Sequence, residues 1–194
     1  MTEPITEATT VKEEPKISEK VKIEGYQIST TAGGSRVIAS VEPEIDGKKV
    51  VEYGLIYGLA MYNGRVTSWT QDDMIVDSDN YFVKDYDSNG LGIVEQQLGS
   101  SSSAIEYSLV MHFGAHSKVA YEADYKVRGY ARLSDGTYVY SEICSYTIFK
   151  IANVLYQNQL MPRESAHDYL FNNILTVVDS TYKKIDFKKI TWVR

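Results

Sequence analysis

The stretch from Asp124 to Tyr140 constrains the fold of this chain more than any other. Tyr125, Val127, Gly129 and Ala131 alternate with Lys126, Arg128, Tyr130 and Arg132. A period of two is that of a β-strand with one buried and one wet face. The first set is expected to face a core and the second to form a charged outer face. Tyr125, at the strand's start, is expected to be a buried corner tyrosine whose hydroxyl reaches the backbone. Ser134-Asp135-Gly136 follows, and Asp-Gly tolerates the positive φ of a hairpin corner. A second run rich in aromatic and β-branched residues extends from Thr137 to about Ile148. Two strands cannot bury a face alone, so the rest of the chain must supply others.

It has the segments to do so. Val21 to Thr30 offers Val21, Ile23, Tyr26 and Ile28. Ala32-Gly33-Gly34-Ser35 turns the chain into Arg36–Val41, where Val37, Ala39 and Val41 share a face. Pro43 ends regular pairing, and Ile45-Asp46-Gly47-Lys48 is a turn. Val50 to Ala60 follows, with Val51, Tyr53, Leu55 and Tyr57 expected inward and Gly54 and Gly58 on the opposite face, a pattern suited to close packing. Tyr62-Asn63-Gly64-Arg65 is a further hairpin signal. Ile105 to Phe113 alternates again, through Tyr107, Leu109 and Met111. After Thr147 the period changes: Ile148, Ile151, Ala152, Leu155 and Tyr156 recur at helical spacing. Met161-Pro162 breaks that helix. A second is predicted over Arg163 to Val177, with a stripe of Ala166, Tyr169, Leu170, Asn173, Ile174 and Val177. The tail alternates Ile185, Phe187, Lys189 and Thr191, which would add an edge strand or wrap the body.

The predicted organisation is therefore mainly β with a C-terminal two-helix extension. Residues 1–20, rich in Thr, Glu, Pro and Lys, read as a disordered linker. Residues 21–150 read as a β-sandwich module with a long loop at about 65–105, and residues 151–194 as a helical extension packed on it. At 194 residues and 43% hydrophobic, the chain suits one domain with appendages. A net charge of -6 argues against a nucleic-acid backbone as partner. No run of eighteen apolar residues exists, so no membrane insertion is expected. Cys144, the only cysteine, sits in an alternating run and reads as a packed thiol.

The same stretch carries a resemblance. Asp124 to Ile148 is similar to the last two strands of a fibronectin type III-like or immunoglobulin-like module. There a tyrosine opens the penultimate strand, small apolar residues follow at every second position, and a short turn leads to the closing strand. Val51-Glu52-Tyr53-Gly54-Leu55-Ile56-Tyr57-Gly58 adds to it. The proline-bearing approach to the tyrosine usual in that family is replaced by Ser117-Lys118-Val119-Ala120-Tyr121-Glu122. The resemblance extends to modules of surface or secreted proteins of Gram-positive gut bacteria. It implies a sandwich but no particular activity. It also implies an extracellular or cell-surface location, with neighbouring domains of a larger protein, although Met1-Thr2-Glu3-Pro4 opens polar and acidic and does not read as a signal peptide.

Three groups of residues carry candidate chemistry. Tyr62, Trp69, Tyr81 and Tyr86 are aromatic rings interleaved with Asp and Asn, which suits a carbohydrate ligand: sugar rings stack on aromatics and their hydroxyls seek carboxylates and amides. The competing reading is that half of these rings pack under the loop. Asp85, Asp87 and Asn89 have the oxygen spacing of a calcium loop, followed by Gly90. The twelfth position is Gln96 rather than Glu, so a polar turn with an Asn-Gly corner is the simpler account, and no cofactor is expected. His112 and His116 lie four apart on a strand, about 13 Å from one another, too far to share a metal. His167 reads as an ordinary surface or packed histidine. Asp72, Asp73, Asp77 and Asp79 would supply a glycosidase pair only if loop geometry brought two of them together.

The leading expectation is a non-catalytic extracellular module for adhesion, spacing or ligand display, with a polysaccharide or protein ligand at the cell surface. The alternatives are a carbohydrate-binding module of a polysaccharide-degrading system and a glycoside hydrolase using loop carboxylates.

Overall fold

The computed structural model describes residues 14–31, 33–59, 61–62, 65–66, 70–76, 96–101, 103–112 and 116–188. Its strands are β1 (Val21–Ser29), β2 (Gly34–Val41), β3 (Glu44–Ile45), β4 (Lys48–Leu59), β5 (Met61–Tyr62), β6 (Arg65–Val66), β7 (Gln96–Ser100), β8 (Ile105–His112), β9 (Tyr125–Leu133), β10 (Tyr138–Tyr140) and β11 (Cys144–Tyr146). One antiparallel sheet has the order β1-β2-β8-β7. A second has the order β10-β9-β4-β3, with β11 also paired to β9. A short helix α1 (Lys118–Glu122) leads into β9. C-terminal to the sheets come α2 (Ile148–Gln157), α3 (Glu164–Leu170), a π-helical turn over Phe171–Leu175, and α4 (Thr176–Val178).

The two sheets face one another across a single core. Val37, Ala39, Val41, Tyr107 and Leu109 come from the first, and Leu55, Val127, Ala131, Leu133 and Val139 from the second. Tyr107 crosses the layer and donates its hydroxyl to the Gly54 carbonyl at 3.2 Å. The layers pack tightly at Gly129. A Cβ there would stand 2.9 Å from Val21 Cγ1, so the alternating pattern needs a glycine at this point. Tyr125 is only half-buried and stacks on Tyr146 at 5.4 Å. The buried hydroxyl that reaches a backbone carbonyl belongs to Tyr107 instead.

Strand irregularities account for several departures from simple alternation. The β1–β2 register shifts between Ile23 and Gly25, which is why the apolar positions change parity from Val21 and Ile23 to Tyr26 and Ile28. A similar shift between Val50 and Glu52 corrects the expectation for Val51. That side chain is 52% exposed, and Val50 packs on the core in its place. The final strand is not continuous. Between β10 and β11 Ser141 keeps one ladder bond, its N–H donating to Gly129 O at 2.9 Å, while its Oγ accepts the Gly129 N–H at 2.8 Å, a donor that a regular strand would have met with a carbonyl.

The helices belong to the same core. Thr147 caps α2 by accepting the Lys150 N–H at 3.0 Å. Ile148, Ala152 and Tyr156 on α2, with Leu170, Ile174, Leu175 and Val178, join the sheet residues in one cluster. The π turn adds a residue per turn and moves the apolar stripe by one position. Val178 is buried and Val177 is exposed, the reverse of the phase that a regular helix would give. The tail does not form a strand over residues 182–188; it lies along α2. Ile185 N–H donates to the Tyr156 hydroxyl at 2.9 Å, and Gln159 donates to the Asp186 carbonyl at 3.2 Å.

The chain also joins the sheet earlier than composition indicates. Within the segment read as linker, Ile17 forms a parallel bridge with Tyr140. Ser18 N–H donates to Tyr140 O at 2.8 Å, and Tyr140 N–H to Lys16 O at 2.9 Å.

Candidate functional site

The outer face of the second sheet holds the chemistry that the strands position most firmly. Pairing of β4 with β9, and of β9 with β10, sets its side chains in rows. Glu52 lies opposite Arg132, which lies opposite Tyr138. Gly54 lies opposite Tyr130, which lies opposite Tyr140. Ile56 lies opposite Arg128.

Arg128 departs from the expected charged outer face, because it is fully buried. Residues 70–76 fold back over it. Its Nε donates to the Ser141 carbonyl at 2.9 Å, and Nη1 donates to Gln71 O at 2.7 Å and Met74 O at 3.0 Å. Its guanidinium lies 4.4 Å from the centre of the Tyr140 ring. Met74, Ile56 and Tyr140 are buried around it, with Ile75, Val76, Tyr130, Tyr138 and Ile143 packed outside. Burial lowers the Arg128 guanidinium pKa to about 10, opposed by Tyr140, Glu142 and Asp72. The arginine stays charged at neutral pH and latches the turn at residues 70–76 to the sheet. Thr70 and Asp73 close that turn: the Thr70 N–H and hydroxyl both donate to Asp73 Oδ2 at 2.8 Å. The turn ends at Val76, whose N–H donates to the Tyr140 hydroxyl at 3.4 Å.

Beside this latch the face carries a shelf. Tyr130 is half-buried, and its phenol end lies over Gly54. Its hydroxyl donates to Glu52 Oε1 at 3.4 Å, and Arg132 Nε donates to Glu52 Oε2 at 2.8 Å. Burial, then the neighbouring Glu52, push the Tyr130 phenol up to about 12. Tyr138 borders the shelf with its ring centre 6.3 Å from that of Tyr130. On its other side, Tyr138, Tyr140, Ile75, Thr137, Pro15 and Lys16 line a hollow of about 560 Å3. The arrangement offers aromatic surface, one carboxylate and one guanidinium to a ligand.

Of the residues singled out in the sequence, Tyr62 has a described backbone, paired with Arg65 in the β5–β6 hairpin. Trp69, Tyr81, Tyr86, Asp85, Asp87 and Asn89 lie outside the described residues, as do Asp77 and Asp79. Among the described residues no group of three or more His, Cys, Asp or Glu is placed to hold a metal ion. None of the helices among them is long and apolar enough to cross a membrane. His167 is fully buried and stacks on Tyr156 at 3.9 Å, and His116 bonds through Nδ1 to the Tyr121 hydroxyl. Cys144 is half-buried, and burial raises its thiol pKa, which disfavours the thiolate. Arg128, Tyr130, Glu52 and Arg132 carried a signal in the outward half of the alternation and in the glycine at 54, but composition draws attention to the loop instead.

No family model matches the chain, and no curated protein matches it.

Proposed function

We propose that this chain is a non-catalytic, immunoglobulin-like β-sandwich module that displays a binding face within a larger surface or secreted protein. The observation that carries the fold part of this reading is the strand order. Sheets β1-β2-β8-β7 and β10-β9-β4 follow the A-B-E-D and G-F-C order of constant-type immunoglobulin domains, with β10 and β11 together standing for the last strand. In such a fold the framework is rigid and its loops and outer faces are free to vary. Here residues 70–76 are latched to the outer face by a buried arginine. A carboxylate on that face, Glu52, is engaged by Arg132 at 2.8 Å. The lead residues, rich in Thr, Glu and Pro, suit a connection to a preceding domain.

The test is depletion from solution by immobilised mucin and by insoluble polysaccharides, with reducing sugar measured in the supernatant. Saturable depletion without release of reducing ends is the expected result. Release of reducing ends, or turnover of a chromogenic glycoside, would establish a hydrolase and overturn the reading.

A further inference from the structure

We propose that the outer face of the second sheet carries a neutral-saccharide subsite, with Tyr130 as its stacking platform and Glu52 and Arg132 as its hydroxyl-binding groups. The inference rests on the reading of the chain as a non-catalytic display module and names the ligand class of that face.

The argument begins at Gly54. A Cβ there would lie 2.6 Å from Tyr130 Cε1 and 2.8 Å from its Cζ and hydroxyl. The ring therefore occupies space that only glycine leaves open. Glycine in mid-strand is destabilising relative to alanine, and here its missing side chain lets a tyrosine lie low against the sheet. A ring fixed before the ligand arrives loses little freedom on binding. Tyr130 remains half-buried rather than covered, unlike Tyr140 beside it.

The polar groups along the ring narrow the ligand. Glu52 and Arg132 are joined at 2.8 Å, and their side chains are 40% and 39% exposed. As a pair they are neutral, which disfavours a phosphate, a carboxylate or a cation. Together they present acceptor lone pairs and guanidinium N–H donors at the rim of an aromatic surface. A pyranose is the complementary shape: an apolar C–H face with vicinal hydroxyls at its edge. Tyr138, tilted by 51° to Tyr130, turns the shelf into a corner and gives the subsite a wall.

The test is affinity electrophoresis of the full chain in native gels containing mixed-linkage β-glucan, xyloglucan or galactomannan, with polygalacturonate as an acidic comparison. Retardation is expected in at least one neutral gel. Tyr130→Ala should weaken it about tenfold or more, and Tyr130→Phe should retain it. Gly54→Ala keeps the ring and displaces it, so it should weaken retardation even if Tyr130→Ala fails to fold. No retardation in any neutral gel, or retardation confined to polygalacturonate, would overturn the subsite. Retardation unchanged in Gly54→Ala but lost in Trp69→Ala or Tyr81→Ala would also overturn it, while leaving the display reading intact. Release of reducing sugar within the gel would sink the display reading independently.

Discussion

Arg128→Met isolates what the buried guanidinium does. Methionine keeps most of the apolar stem and removes the charge. The carbonyls of Ser141, Gln71 and Met74 then lose their donors. The protein has two responses. If residues 70–76 stay in place, two buried acceptors and one partly buried go unmet at about 1–3 kcal/mol each. The contact with the Tyr140 ring, about 0.5–2 kcal/mol, is lost as well. If the segment lets go, water meets the carbonyls, but Met74 and Ile56, each 1% exposed, become wet. Exposing those two side chains costs about 1.5–3 kcal/mol each. The cheaper response sets the loss at about 3–6 kcal/mol. Part of this returns because the variant no longer desolvates a charge. A net loss of about 3 kcal/mol is expected, or a fall in melting temperature of about 6–12 °C for a chain of this size.

Urea denaturation measures the loss, and limited proteolysis reports whether residues 70–76 have come free. Release predicts a further signature. Met74→Ala alone should cost about 2–5 kcal/mol, but little more in the Arg128→Met background, because the segment is already detached. A loss below about 1 kcal/mol, with residues 70–76 still protected and the two substitutions additive, would refute the latch.

Other outcomes follow from the core and its tyrosines. Gly129→Ala places a Cβ 2.9 Å from Val21 Cγ1, and overpacking should cost about 1–3 kcal/mol; a neutral effect would mean that the sheets separate freely there. Truncation after Lys150 removes Tyr156, Leu170, Ile174 and Leu175 from the shared core, so the remainder should aggregate or unfold. A truncated chain that stays in solution and melts at the full-length temperature would show the helices to be an independent appendage. Burial raises the phenols of Tyr26, Tyr107, Tyr121, Tyr125, Tyr130, Tyr146 and Tyr169, to about 12 at Tyr121 and Tyr130. A folded pKa above the unfolded one gives stability that is complete below the ordinary phenol range and is lost as pH rises through the folded values. Phenolate absorbance should therefore appear in two steps, the later one together with unfolding; a single step at the ordinary phenol pKa would contradict the burial of these rings.

Most of the longer strands and the C-terminal helices were legible because both follow from periodicity, whereas β7 (Gln96–Ser100), inside the span read as a long loop, and α1 (Lys118–Glu122) were not. Tyr107, Leu109, Val127 and Ala131 lie inward as their alternation requires. Two of the errors lie where one residue is added to a regular element. The bulge at Val50–Glu52 exposes Val51, and the π turn at Phe171–Leu175 exchanges Val177 for Val178. Each insertion is a single unpaired backbone step, stabilised by packing elsewhere, and nothing in the local composition marks it.

The binding face was harder to see for a different reason. Lys126, Arg128 and Arg132 are equivalent in the pattern, since all three fall on the outward half of β9. Their cross-strand neighbours separate them. Arg132 faces Glu52 and forms an exposed ion pair, Lys126 faces Gly58 and pairs with Asp124, and Arg128 faces Ile56. An arginine opposite isoleucine and beside Tyr140 already stands in apolar surroundings, so a returning segment can cover it if that segment brings carbonyls for its N–H groups. Residues 71 and 74 bring them. The same register sets Tyr130 against a glycine and gives it a place to lie. Alternation assigns a residue to a face, but the partner across the strand decides whether that face is wet, latched or open to a ligand. That information is held in the pairing of β4 with β9, between segments about seventy residues apart, and loop closure over such a distance leaves no local trace.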